Sequence, residues 1–185
     1  MSFSTLGLAP SLLNAIAEIG YQEPTAIQSA AIPPILRGAD VLGAAQTGSG
    51  KTAAFALPLL QVLMEKRGGP RKLHGLVLVP TRELATQVGE AIRQLVSHLP
   101  STIKVSIVFG GVSINPQMMA LRGGTHIVVA TPGRLLDLVE HNALDISQTS
   151  TLVLDEADRL LQLGFADELA QILAWLPARR QTALF

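Results

Sequence analysis

The apolar residues of this chain fall into short unbroken runs that alternate with segments of helical spacing. Gly75-Leu76-Val77-Leu78-Val79, Val105-Ser106-Ile107-Val108-Phe109, Ile127-Val128-Val129-Ala130 and Leu152-Val153-Leu154 are too short for helices. Continuous apolar runs of that length predict strands buried on both faces. Asp40-Val41-Leu42-Gly43-Ala44 reads as a further buried strand, and Gln181-Thr182-Ala183-Leu184-Phe185 as the start of one more. Between them, Pro10 opens a helix carrying Leu12, Leu13, Ile16 and Ile19, with Gly20 as its stop. Thr25 is placed to cap a second helix that holds Gln28. Ala53-Ala54-Phe55-Ala56-Leu57 begins a third helix. Val88, Ile92, Leu95 and Val96 mark a fourth, and Leu135, Leu136, Leu138 and Val139 another. Trp175 falls on the last helix and is expected to be a packing residue. Strands alternating with helices predict an α/β fold, a mostly parallel central sheet with helices on both faces. The length of 185 residues suits a single domain with a sizeable core.

Parallel strands joined by right-handed crossovers all end at one rim, where open α/β sheets bind ligands. Five polar or glycine-rich segments follow predicted strands directly. The first is Ala45-Gln46-Thr47-Gly48-Ser49-Gly50-Lys51-Thr52. Glycines let the backbone wrap an anion with its N–H groups, the helix start adds a dipole end, Lys51 a charge and Thr52 a hydroxyl for Mg²⁺. Ala45 stands where the usual P-loop pattern has Gly. Gly48-Ser49-Gly50 with Ala53 also fits the dinucleotide fingerprint, but that turn has no use for Lys51-Thr52. The second segment at the rim is Asp155-Glu156. Beside a P-loop, Asp155 is expected to hold Mg²⁺ and Glu156 to activate a water. Pro80-Thr81-Arg82, Gly110-Gly111 and Thr131-Pro132-Gly133-Arg134 offer backbone N–H groups, hydroxyls and arginines at helix starts. Those groups position a sugar-phosphate backbone without reading bases. The amide of Gln28 matches the donor and acceptor pair of adenine.

Composition narrows the classes. The chain is 48% hydrophobic and 15% charged, so it is globular. Fourteen Lys+Arg balance fourteen Asp+Glu, which argues against coating nucleic acid by bulk charge but leaves room for a local basic groove. Aromatic residues at 4% make a base-stacking platform unexpected. With no cysteine there is no disulfide and no thiolate metal site. No signal peptide and no membrane span is visible, so the expected location is the cytoplasm. The one linker-like stretch is Lys66-Arg67-Gly68-Gly69-Pro70-Arg71-Lys72.

With these motifs in order, Asp155-Glu156-Ala157-Asp158 resembles the signature of the DEAD-box ATP-dependent RNA helicases. The chain is similar to the first of their two RecA-like domains over essentially its whole length. Residues 20–28 resemble the Q motif, with Phe3 as its upstream aromatic, so that the motif spans residues 3–28. Residues 45–52 resemble motif I, in which alanine at the first position is normal. Residues 80–85 resemble motif Ia, Gly110-Gly111 the GG motif and residues 131–134 motif Ib. The N-terminal run is most like the RhlE-type bacterial branch. The resemblance implies ATP and Mg²⁺ as cofactors, with Phe3, Tyr21, Thr25 and Gln28 around the adenine. Gln46, Thr47, Gly48, Ser49, Gly50, Lys51 and Thr52 would hold the phosphates. It makes Asp155 and Thr52 the metal residues and Glu156 the catalytic base. Pro80, Thr81, Arg82, Gly110, Gly111, Thr131, Pro132, Gly133 and Arg134 become contacts to the RNA backbone, and Asp158 a link between the ATP site and motif III. Gln162 departs from the family, which usually has Asp there. The chain ends at Phe185, where motif III and then a second RecA-like domain with arginine fingers are expected. The resemblance therefore implies half of an RNA-stimulated ATPase, able to bind nucleotide but inactive alone in unwinding. The rival readings are another P-loop enzyme, such as a DNA helicase or a kinase, and a nucleotide-binding module without turnover.

Overall fold

A computed structural model describes residues 2–46, 48–65 and 71–185. Thr47 and most of the expected 66–72 linker lie outside the described residues. Six strands form one sheet: β1 (Val41–Leu42), β2 (Gly75–Leu78), β3 (Val105–Val108), β4 (Ile127–Ala130), β5 (Thr151–Leu154) and β6 (Gln181–Leu184). All neighbours are parallel, in the order β1-β6-β5-β2-β4-β3. The helices are α1 (Pro10–Glu18), α2 (Ala26–Leu36), α3 (Lys51–Glu65), α4 (Arg82–Ser97), α5 (Asn115–Leu121), α6 (Pro132–Glu140), α7 (Ala157–Gln162) and α8 (Ala166–Trp175). A short 3-10 turn, Phe3–Thr5, and α5 carry no apolar pattern that announces them.

The continuous apolar runs have a simple cause. Side chains alternate across a strand, and both faces of this sheet are covered. Val77 and Val153 pack into the core under α1–α4, while Leu76, Leu78 and Leu152 pack into a second core against α6 and α8. Phe55, which is 1% exposed, lies one turn into α3, and its ring packs 5.6 Å from that of Phe185 at the end of β6. Full burial of a phenylalanine side chain contributes about 1.5–3 kcal/mol, so this contact anchors the helix that leaves the P-loop to the strand beside it. The Gln61 amide fastens the N-terminal segment to α3: it accepts from Ala9 N–H at 2.8 Å and donates to the Gly7 carbonyl at 3.2 Å.

Two expectations are corrected. The first strand is neither long nor buried: β1 holds two residues at the sheet edge, and Leu42 is 81% exposed. Hydrophobicity marks a strand but does not say how many neighbours it has. Trp175 is not enclosed: it ends α8 and is 36% exposed, against a shallow cavity beside Asn142 and Asp145.

Candidate nucleotide and nucleic-acid site

The P-loop starts where β1 pairs with β6, the Gly43 N–H donating to the Leu184 carbonyl at 2.8 Å. A Cβ at position 43 would lie 2.8 Å from the Phe185 ring, so only glycine lets this backbone pass. Gly48 and Gly50 take φ of 78° and 89°, in the left-handed region that favours glycine. Lys51 and Thr52 are the first residues of α3 and are half-buried. The Ser49 hydroxyl is buried with no partner among the described residues. An unsatisfied buried donor in a turn of this shape fits a phosphate oxygen.

Thr25 and Gln28 form a capping box at the start of α2. The Thr25 N–H donates to Gln28 Oε1 at 3.0 Å, and Gln28 Nε2 donates to the Gly50 carbonyl at 3.1 Å. Gln28 is 4% exposed, and both halves of its amide are engaged. It is thus tied to the P-loop before any base arrives, and a Cβ at Gly50 would strike it. Phe3 is buried beneath Tyr21, ring centroids 6.4 Å apart and 22° between planes, so the exposed aromatic face at this corner belongs to Tyr21.

Asp155 leaves β5 with its N–H on the Leu78 carbonyl at 3.0 Å, and its carboxylate accepts from the Glu156 N–H at 3.1 Å. Burial raises its pKa above the ordinary carboxylate value; the Lys51 charge opposes that and the Glu156 charge adds to it. Glu156 has φ 53° and ψ 51°, an uncommon conformation for a residue with a side chain, and such outliers gather at functional sites. Its Oε2 accepts from Arg159 Nη1 at 3.0 Å. Glu156, Asp158, Arg159, Lys51 and Phe185 line one cavity of about 580 Å³ that opens beside Leu42. Among the described residues there is no cluster of three or more His, Cys, Asp or Glu side chains able to hold a metal. The donor set fits Mg²⁺ shared with phosphate oxygens, with Asp155 and Thr52 contributing oxygen ligands, because Mg²⁺ is usually held by one or two carboxylates plus substrate.

The raised Asp155 pKa predicts a stability effect. Ionising this carboxyl opposes folding, so the penalty is absent below the unfolded pKa, grows between the unfolded and the folded pKa, and is complete above the folded one. Asp155→Asn is expected to melt at a higher temperature than the parent chain near neutral pH. The difference should close as the pH falls below about 4, and the variant should lose Mg²⁺-dependent nucleotide binding. Thermal melts across pH check the first part and calorimetric titration with ATP and Mg²⁺ the second.

A second cleft, of about 420 Å³, lies further along the same rim. Pro80, Arg82, Gly110, Gly111, Thr131 and Gly133 are among its walls. The Arg82 guanidinium lies 5.1 Å over the Phe109 ring and stays exposed. Other members of the expected set are already committed. The Thr81 hydroxyl caps α4 through the Leu84 N–H at 3.2 Å, and that of Thr131 accepts from the Gly110 N–H at 3.3 Å. Pro132 is buried in the first turn of α6. Arg134 is 7% exposed; its Nη2 donates to the Val112 carbonyl at 2.7 Å, while Nε and Nη1 have no well-formed hydrogen bond, Nε lying 3.5 Å from Asp137. Arg134 and Thr131 therefore hold the 110–112 loop in place. Two residues were not anticipated. Gln117 exchanges hydrogen bonds with both backbone groups of Phe109, at 3.0 and 3.1 Å, and Arg159 pairs with Glu156. Only the second has a sequence signal, its i, i+3 spacing.

The geometry has counterparts. The family model described as DEAD/DEAH box helicase matches residues 25–185. The ATP-dependent RNA helicase DeaD of Escherichia coli is 50% identical over 184 residues, covering 100% of this chain and 29% of that protein. DeaD of Mycobacterium tuberculosis is 48% identical, with 32% of that protein covered. A solved structure, a DEAD box protein from the hyperthermophile Methanococcus jannaschii, superimposes with a TM-score of 0.91 at 38% identity, over 100% of this chain and 49% of that one. The chain thus spans about a third of these curated relatives. The family match takes in the segments that hold the glycine-rich turn, Asp155-Glu156 and the rim cleft, and the chain belongs to the DEAD/DEAH box helicase family.

Proposed function

We propose that this chain is the ATP-binding half of an RNA helicase, coupling ATP hydrolysis to local opening of RNA duplexes. The observation that carries the proposal is the convergence of the P-loop, Asp155-Glu156 and the Arg82–Gly110 cleft on one rim of one sheet. β6 separates β1 from β5, so the phosphate turn and the two carboxylates flank a single strand end.

Lys51 and the N–H groups around Gly48, Ser49 and Gly50 would bind the β- and γ-phosphates, with Gln46 and Thr47 completing the turn. Mg²⁺, when bound, would neutralise charge on those phosphates, and Asp155 and Thr52 would hold it. Glu156 would orient a water and take its proton, once it lets go of Arg159. Phosphoryl transfer is mostly positioning and charge compensation, so the missing part is a second positive charge on the γ-phosphate. Arg159, the arginine that lines the cavity with Lys51, is paired with Glu156. A second RecA-like domain of the parent protein would supply that charge and meet Asp158 at the cavity mouth. Adenine would be read by Gln28, exchanging its Gly50 bond for the base, with Thr25 holding the amide plane and Tyr21, backed by Phe3, covering the ring. Arg82 and the N–H groups of Gly111 and Gly133 would grip the RNA backbone without reading sequence, with Gly110 held in place by Thr131. The other members of that grip, Pro80, Thr81, Thr131, Pro132 and Arg134, would shape it from behind. No described helix is long and apolar enough to cross a membrane.

Turnover in a two-domain parent protein tests this reading. ATP hydrolysis is expected to rise on adding single-stranded RNA, to be far slower with GTP, and to be nearly absent in this chain alone. RNA-independent hydrolysis, or equal use of ATP and GTP, would overturn it. Weaker stimulation by matched DNA would identify 2′-hydroxyl contacts.

A further inference from the structure

Cations occupy both rims of the sheet. On the rim where the strands end, Lys51, Arg82 and Arg134 stand in the first turns of the helices, beside Asp155 and Glu156. The segments that enter β2 to β6 hold Arg71, Lys72, Lys104, Arg122, Arg179 and Arg180 against Asp145 alone. The first four stand at the entrances of β2, β4 and β3, which are adjacent in the sheet. Strands lie about 4.8 Å apart, so these cations spread over roughly 10 Å.

The cluster is built closely. Gly124, at φ 79°, has no room for a Cβ because the Arg71 carbonyl lies against it. The Lys104 N–H donates to His126 Nδ1 at 2.9 Å, and His126 is held below its ordinary pKa by burial first, then by the Arg71 and Lys104 charges. Lys104 has a structural duty, its Nζ donating to the Ala120 and Arg122 carbonyls at the end of α5. Arg71, Lys72 and Arg122 have no such bonds: all three are exposed and none is in a direct ion pair among the described residues, although the Lys72 charge is near enough to help lower the pKa of Asp145, after the hydrogen bonds from Ser147. Arg71 and Lys72 line a cavity of about 340 Å³ whose other exposed members are Asp145 and Gln148, and no aromatic residue lines it.

We propose that this rim, on the side of the sheet away from the nucleotide motifs, is a second binding surface for the phosphate backbone of RNA, formed by Arg71, Lys72 and Arg122 at the entrances of β2 and β4. Clustered cations with no exposed apolar residue in the Arg71–Lys72 cavity itself suit a dense polyanion better than a folded protein, whose interfaces are built on apolar and aromatic anchors. The nearest exposed aromatic, Trp175, stands in the neighbouring cavity on the far side of Asp145, so the cation contacts themselves are sequence-blind. Backbone phosphates recur every few ångströms, so a span of about 10 Å accommodates two or three of them. The proposal uses the family's RNA substrate to choose the ligand but does not depend on the Arg82 cleft.

The test is photo-crosslinking of a ten-nucleotide RNA containing 4-thiouridine to this chain, read by mass spectrometry, with the triple variant Arg71→Ser/Lys72→Ser/Arg122→Ser beside it. Adducts at residues 71–72 or 122–126 are expected in the parent chain and absent in the variant. The variant should keep its far-ultraviolet dichroism and its ATP affinity, since its three positions are exposed and remote from the P-loop. The slope of log affinity against log salt should become shallower by about 2, close to 0.7 for each single-strand phosphate contact removed. Adducts confined to residues 80–82 and 110–111, with an unchanged salt slope in the variant, would overturn the proposal and leave the cleft reading standing. Adducts at 71–72 or 122–126 without any at the cleft would support it while removing the cleft. Suppression of those adducts by polyglutamate present during irradiation, as effective as that by unlabelled RNA of equal charge, would assign the rim to acidic protein segments and overturn the proposal.

Discussion

Lys51→Ala is expected to weaken ATP binding by roughly 10- to 150-fold, the loss of one charge-assisted bond of about 1.5–3 kcal/mol. The effect should exceed that of any other single truncation in the P-loop. Of the other phosphate contacts there, only the Ser49 hydroxyl is a side-chain group and it is uncharged; the rest are backbone N–H groups, which no side-chain change removes. Lys51 also faces Asp155, whose ionisation its charge favours. Without it Asp155 holds its proton more tightly, so the Mg²⁺-dependent part of the affinity should fall as well. Titration of the chain with ATP, with and without Mg²⁺, measures both. Unchanged affinity in the variant would refute the phosphate-cradle reading of residues 45–52. The first residue of α3 faces the turn and is not part of the core, so the variant should fold normally.

Glu156→Gln is expected to lower the rate of hydrolysis by about a thousandfold in a two-domain parent, the middle of the range for a positioned general base. Nucleotide affinity should stay within a few-fold of the original, because the amide keeps the side chain's shape and can still meet Arg159. A loss of affinity equal to the loss of rate would move Glu156 from catalysis to binding. The left-handed backbone at this residue gives the substitution its interest. That conformation is costly for a residue with a side chain, about 1–3 kcal/mol. A glycine here would relieve it, but the side chain that can take a proton would be lost.

Much of the architecture is legible in the sequence. Each buried strand betrays itself by a run that is apolar on both faces, and Gly75-Leu76-Val77-Leu78 is buried at every position. The Thr25 cap is legible because capping acts across three residues, with no help from the rest of the fold. The five segments on the rim follow from parallel strands and right-handed crossovers, a constraint on chirality and not on particular contacts. Less legible is what each side chain is doing. Gln28 reads as an adenine contact from its chemistry, but its bond to Gly50 joins residues 22 positions apart. Arg134 reads as an exposed cation at a helix start, and its burial against Val112 depends on a loop from a different strand. Edge position is also invisible: Val41-Leu42 has the same apolar character as the central strands, yet has a neighbour on one side only.

The sequence by itself determined the class of fold and the rim on which the glycine-rich and charged segments lie, and it carries the proposal for the phosphate turn. Those depend on local periodicity, glycine conformations and charges adjacent in the chain. Tertiary structure alone decided that β6 lies between the P-loop strand and the Asp155 strand, and that Glu156 rests on Arg159. It alone also gathered the cations of the opposite rim from separate loops into one surface. These facts depend on the order in which strands pair and on the direction in which side chains leave them, and neither quantity is written in the spacing of residues along a chain.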